Sequence, residues 1–155
     1  MKRTTRYQAA IVENDHILLL KMIDYEHGTM FWALPGGGQE ADETEEACVQ
    51  REVLEETCLR VEVVRLILDE PDIPDGIYQR LKTYVCRVID GELKPGYEPE
   101  VDTSDFTTIQ EVRWFDLRDP GAWDLLAVAD PFTYPLLQRI RAVLGYTSEP
   151  VVPAA

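Results

Sequence analysis

The stretch GGGQEADETEEACVQREVLEETCL, residues 36–59, decides how this chain is read. It opens on Gly36-Gly37-Gly38 directly after Pro35. Glycine backbone takes conformations closed to other residues, so a tight, exposed loop is expected there. From Thr44 to about Thr57 there is neither Gly nor Pro. Thr44 is a suitable N-cap, and Glu45 and Glu46 match the positive end of a helix dipole, so this segment is predicted to be a helix. At helical spacing Ala47, Leu54 and Cys58 fall on one side and Glu52, Glu55 and Glu56 on the other. That spacing predicts a core face opposite a face of three carboxylates. Exposed like charges at this spacing cost roughly a few tenths of a kcal/mol per pair. Hard divalent cations such as Mg²⁺ or Mn²⁺ relieve the repulsion best, because they take carboxylate oxygens and keep positions open for water and phosphate. A merely solvated acidic face is the plainer alternative, and the glycine loop upstream weighs against it.

On the N-terminal side, Tyr7–Glu13 and Ile17–Met22 are apolar runs separated by Asn14-Asp15, which reads as a β-hairpin. Phe31–Leu34 is a short strand stopped by Pro35. On the C-terminal side, Val61–Leu68 and Tyr78–Ile89 read as long strands joined by a turn over Pro71–Gly76, and Val112–Leu117 as a final strand. Gly91–Thr107 is polar and acidic and holds Pro95, Gly96 and Pro99, the composition of a surface loop. Pro131–Leu144 carries Leu136, Leu137, Ile140, Val143 and Leu144 at helical spacing, with Gly145 as terminator. The expected organisation is one domain over residues 1–146 and a frayed tail over 147–155. There is no internal repeat.

The length of 155 residues suits a single compact unit. Fifteen Lys and Arg against 29 Asp and Glu give a net charge of −14. Such a field repels nucleic acid and anionic lipid, since binders of either need a basic footprint. If the ligand is an anion, a cation must mediate. Cys48, Cys58 and Cys86 form neither a C-x-x-C pair nor an even framework, so disulfides and a zinc-thiolate site are not expected, and a reducing, cytoplasmic setting fits. No apolar run approaches the roughly 20 residues of a membrane span.

Gly37-x5-Glu43-x7-Arg51-Glu52-Val53-Leu54-Glu55-Glu56-Thr57-Cys58-Leu59 resembles the Nudix box, G-x5-E-x7-R-E-U-x-E-E-x-G-U with U a bulky aliphatic. Every constrained position matches except Cys58, where the family has glycine. The order of strands around the box is also similar to a Nudix domain, so the resemblance covers nearly the whole chain. It implies an α/β/α sandwich of α+β class, with a mixed central sheet and a loop-helix-loop catalytic motif. It further implies that Glu52, Glu55 and Glu56 bind Mg²⁺, or Mn²⁺ in its place, with the carbonyl of Gly36 as a further ligand. Gly37, Glu43 and Arg51 take structural roles, the last two as an ion pair. The implied reaction is hydrolysis of a diphosphate in which a nucleoside diphosphate is linked to another moiety: a nucleoside triphosphate, ADP-ribose or a nucleotide sugar, or a dinucleotide polyphosphate.

Metal-activated water attacks phosphorus in such a reaction, and no protein nucleophile is needed. Glu55 is the first candidate for general base, with Glu98, Glu100 and Glu111 as alternatives outside the box. Substrate contacts are sought at Arg80 and Lys82, which share one strand face, and at the aromatics Tyr25, Phe106, Phe132 and Tyr134. A solvent-facing basic pair and ordinary core aromatics are the competing readings of those residues. Trp32 and Trp114 are read as packing residues and His27 as a surface histidine. Gly36–Gly38 lacks the Gly-Lys-Ser/Thr of a P-loop, and Asp72, Asp75 and Gly76 lack the spacing of an EF-hand. The rival reading is a nucleotide-binding or regulatory module of the same fold without turnover. Partners are a small-molecule nucleotide derivative, no nucleic acid duplex and no membrane, with a homodimer left open.

Overall fold

A computed structural model of the protein describes residues 5–71, 78–96 and 107–147. Most of the Pro71–Gly76 turn, the aromatic Phe106, the acids Glu98 and Glu100, and the tail beyond residue 147 lie outside the described residues. In chain order the elements are β1 (Thr5–Glu13), β2 (His16–Asp24), β3 (Thr29–Ala33), β4 (Gly36–Gly37), α1 (Glu45–Thr57), β5 (Leu59–Pro71), β6 (Arg80–Gly91) and β7 (Thr107–Asp116). A 3₁₀ turn (Pro120–Ala122), α2 (Leu125–Ala129) and α3 (Thr133–Leu144) follow.

The β1–β2 hairpin forms where the sequence places it. Asn14 and Asp15 both take left-handed backbone, with φ of 53° and 65°, as a two-residue hairpin turn requires. β1 runs parallel to β6 from Thr5 opposite Arg80 to Ile11 opposite Cys86. On its other edge β1 is antiparallel to β4, with Tyr7 opposite Gly37 and Gln8 opposite Gly36. β2 is antiparallel to β1, β3 and β7, and β5 is antiparallel to β6, so the sheet is mixed. Alternation along β1 sends Tyr7, Ala9 and Ile11 to one face and Ala10 to the other. The first group packs with Cys48, Val49 and Val53 of α1. The opposite face is covered by α2 and α3 through Ala127, Leu136, Leu137 and Ile140. The result is the α/β/α sandwich of α+β class.

The structure corrects several local readings. The 3₁₀ turn and α2 are absent from the sequence reading, because five residues of Leu, Ala and Val carry too few turns to show a helical period. Asp124 caps α2 by accepting the N–H of Leu126 at 2.8 Å. Phe132 and Tyr134 pack against the core rather than offering stacking surfaces, with Tyr134 edge-on to Trp123 at 6.0 Å. The larger correction concerns α1. Its inward stripe is Cys48, Val49, Glu52, Val53, Glu56 and Thr57. Leu54 is 48% exposed and Ala47 only half-buried, so the expected apolar face is not the core face. Counting apolar letters placed the stripe about half a turn away, because two of the residues that point inward are glutamates.

Candidate metal and active site

The site grows from the junction of the glycine loop with α1. Pro35 O accepts the N–H of Ala9 at 2.8 Å, which lays the loop along β1. A Cβ on Gly36 would stand 2.5 Å from Tyr7 O, and one on Gly37 would stand 2.3 Å from Glu52 Oε2. Both distances fall well inside van der Waals contact, so only glycine lets the loop approach β1 and α1 this closely. Gly36 N–H donates to Glu56 Oε1 at 2.9 Å. Glu52 and Glu56 are each 2% exposed, and a buried carboxylate is costly unless charge or hydrogen bonds compensate it.

Arg51 supplies that compensation from the side. Its Nε and Nη2 donate to the two oxygens of Glu43 at 2.7 and 3.0 Å, and Nη2 also donates to Gly38 O at 3.0 Å. Nη1 donates to Glu52 Oε2 and to Glu55 Oε1, both at 3.2 Å. Glu43 thus grips Arg51 bidentately, and Arg51 ties the glycine loop to two of the three helix carboxylates. Its reach to Glu52 and Glu55 was not legible in the sequence, where only the Glu43 pairing was expected. The spacing of Arg51 to Glu55, one helical turn, is the signal that could have shown it.

These residues fit a divalent cation. The donor set is all oxygen, which suits hard ions, and Gly37 leaves the Glu52 carboxylate room that a Cβ would fill. Cys58, the one departure from the box, has φ 65° and ψ 16°, the left-handed conformation that ends a helix, and its N–H donates to Leu54 O at 3.0 Å. The backbone therefore keeps the geometry glycine would take.

Among the described residues, the outlying charged candidates have partners of their own. Arg80 Nε donates to Asp69 Oδ1 at 2.7 Å. Lys82 Nζ donates to Glu45 at 3.1 Å, where Tyr84 also donates to Glu45. Glu45 lies seven residues before Glu52, about 10 Å along the helix. Burial, with Glu45 beside it, pushes the Tyr84 hydroxyl well above its ordinary pKa. Tyr25 is 62% exposed in the β2–β3 turn. Beside it, His27 Nδ1 lies 2.8 Å from Asp24 Oδ2, at the surface as expected. Glu111, on β7, accepts from Arg113 Nε at 2.8 Å.

Comparison with known proteins decides the family. A sequence model of the family described as the NUDIX domain matches residues 3–140. The chain belongs to the NUDIX hydrolase family. A MutT-like protein of Streptomyces ambofaciens is 48% identical over 58 residues, which cover 37% of this chain and 36% of that protein. A NUDIX hydrolase of Nitrosomonas europaea superposes with a TM-score of 0.70 at 22% identity, covering 95% of this chain and 74% of the other. An ADP-ribose pyrophosphatase of Streptococcus suis superposes with a TM-score of 0.60 at 25% identity, covering 97% and 98%. A UDP-X diphosphatase gives 0.64 at 19%, covering 99% and 68%. NUDIX hydrolases generally use a divalent metal and act on small nucleotide derivatives. Among the described residues, no helix is long and apolar enough to cross a membrane.

Proposed function

We propose that this NUDIX hydrolase, read as one domain over residues 1–146, is a Mg²⁺-dependent pyrophosphohydrolase. It cleaves the diphosphate of a nucleoside diphosphate linked to another moiety, and Mn²⁺ serves in place of Mg²⁺. The observation that carries the reading is the burial of two glutamates against a glycine loop, with Arg51 reaching a third. Glu52, Glu55, Glu56 and the carbonyl of Gly36 hold the cation. When bound, that cation neutralises the diphosphate and makes its water acidic enough to act as hydroxide.

The chain's own groups do the rest. Glu56 is oriented by Gly36 N–H, and Glu52 by Arg51. Glu55 is the most open of the three, with a side chain 22% exposed against 2% for Glu52, so it is the carboxylate best placed to take a proton from an attacking water. The water oxygen bonds to phosphorus, the bridging P–O bond breaks, and the proton passes to Glu55. For Arg80 or Lys82 to meet a substrate phosphate, each must first give up its carboxylate partner.

The test is a panel of nucleoside triphosphates, ADP-ribose, nucleotide sugars and dinucleotide polyphosphates, with Mg²⁺ and with Mn²⁺, reading released monophosphate or phosphate. Metal-dependent turnover of one class is expected. Nucleotide binding with no turnover on any of them would overturn the reading in favour of a binding module.

A further inference from the structure

The chain that leaves β6 turns back across the C-terminal end of α1. The last four carbonyls of a helix lack partners within it and must find them elsewhere. Here Cys58 N–H serves Leu54 O, but the next two donors come from about forty residues downstream. Gly96 N–H donates to Glu56 O at 2.9 Å, and Lys94 N–H donates to Thr57 O at 3.2 Å. Leu93 anchors the crossing by packing against the same core that holds Cys48, Val49 and Val53.

Gly96 makes the closest approach. A Cβ there would stand 1.8 Å from Glu55 O, 2.8 Å from Glu55 C and 2.9 Å from Glu56 C. These are backbone atoms and cannot swing aside as a side-chain tip can. Glycine is required at position 96 by proximity, not by a left-handed φ. The turn of α1 that bears Glu55 and Glu56 is therefore clamped on two sides. Gly36 N–H holds the Glu56 carboxylate, and the 92–96 strap holds the Glu56 carbonyl while lying against the Glu55 backbone.

We propose that Gly96 is a positioning residue: the strap it permits sets the last turn of α1, so that Glu55 and Glu56 meet a divalent cation in fixed geometry. This rests on the assignment of those glutamates to the metal under the proposed function. Ligand shells tolerate displacements of only about 0.5 Å, and a Cβ at 1.8 Å must move the strap or the helix by more than that.

The test compares wild type with Gly96→Ala by direct Mn²⁺ titration, followed by electron paramagnetic resonance well below both melting temperatures. Loss of outer-shell support weakens metal affinity about tenfold or more, and that weakening is expected here, together with a lower kcat at saturating metal. A variant that melts earlier yet binds Mn²⁺ as tightly as wild type would overturn the proposal, since that is what a purely structural glycine does. Amide hydrogen exchange on the wild-type protein keeps the test open should the variant not fold. Slow exchange at Gly96 and Lys94, slowed further by Mn²⁺, supports the strap, and exchange indifferent to Mn²⁺ rejects it. A wild-type protein that takes up no Mn²⁺ would overturn the metal assignment instead, leaving slow exchange at these two amides to judge the strap alone.

Discussion

Two residues of α1 show how much a single position can carry. Glu52 and Glu56 lie within the buried stripe of α1, where each is 2% exposed and fixed by Arg51 or by Gly36 N–H. Glu52→Gln or Glu56→Gln keeps the shape and removes a metal-facing charge. Turnover is expected to fall at least about a hundredfold, as on loss of a preorganised contact, with the circular dichroism unchanged. Near wild-type kcat in either purified variant would sink the assignment. Cys58 tests the backbone instead. A residue with a Cβ at φ 65° is strained by about 1 kcal/mol, so Cys58→Gly is expected to raise the denaturant midpoint by a corresponding amount and to leave hydrolysis intact. A lower midpoint would show that side-chain burial outweighs the strain. The sequence carried both questions openly, since the box names Glu52 and Glu56 and marks Cys58 as its exception. It did not carry the direction in which the two acids point.

At the scale of elements, α1 begins where the chain says it should. Thr44 Oγ1 accepts the N–H of Ala47 at 3.0 Å, and Glu45 and Glu46 occupy the first turn. Thr44→Ala removes that cap and should lower stability by about 1 kcal/mol in a urea melt. An unchanged midpoint would mean that the Glu43–Arg51 pair holds the helix start without help. The junction after β7 is closed by a different device. Asp116 Oδ1 accepts both the N–H and the Nε of Arg118, at 2.8 and 2.9 Å. The Arg118 hydrogen bonds hold the Asp116 pKa down at about 2, below its ordinary 3.8. A depressed carboxylate stabilises the fold above its unfolded pKa, so this contribution is present at neutral pH and is lost as pH falls from about 3.8 towards about 2. An NMR titration of the Asp116 carboxyl should show that low midpoint, and an ordinary one would mean the turn is open in solution. Caps and hairpin turns were legible because their chemistry is local: Asn14-Asp15 and Thr44 each act within three or four residues. α2 was not, because Leu125–Ala129 is held by its Asp124 cap and by packing of Ala127 into the core, and neither leaves a period in five residues.

Across the whole molecule, a charge of −14 and a cluster of carboxylates lead us to expect that divalent cations stabilise the fold. Mg²⁺ or Mn²⁺ at about a hundred times its Kd should add about 2.7 kcal/mol, which in a chain of this size is a rise of roughly 5–10 °C in Tm. EDTA should reverse it, and Glu52→Gln combined with Glu56→Gln should abolish it. A Tm that ignores both metals in the absence of substrate would count against a preformed site. The sequence by itself determined the family, the mixed α/β architecture and the position of the helix that carries the box. All of these rest on local chemistry: turn residues, caps, helical spacing and the fixed intervals of the box. Only the tertiary structure decided which face of α1 is buried, that Arg51 reaches Glu52 and Glu55 as well as Glu43, and that Gly96 closes on the helix end from about forty residues away. The physical reason is that a carboxylate may be buried only where other parts of the chain supply its partners and its space. Here Gly37 leaves the space beside Glu52, Gly36 N–H supplies a partner to Glu56, and the support at the helix end comes from residues 94 and 96.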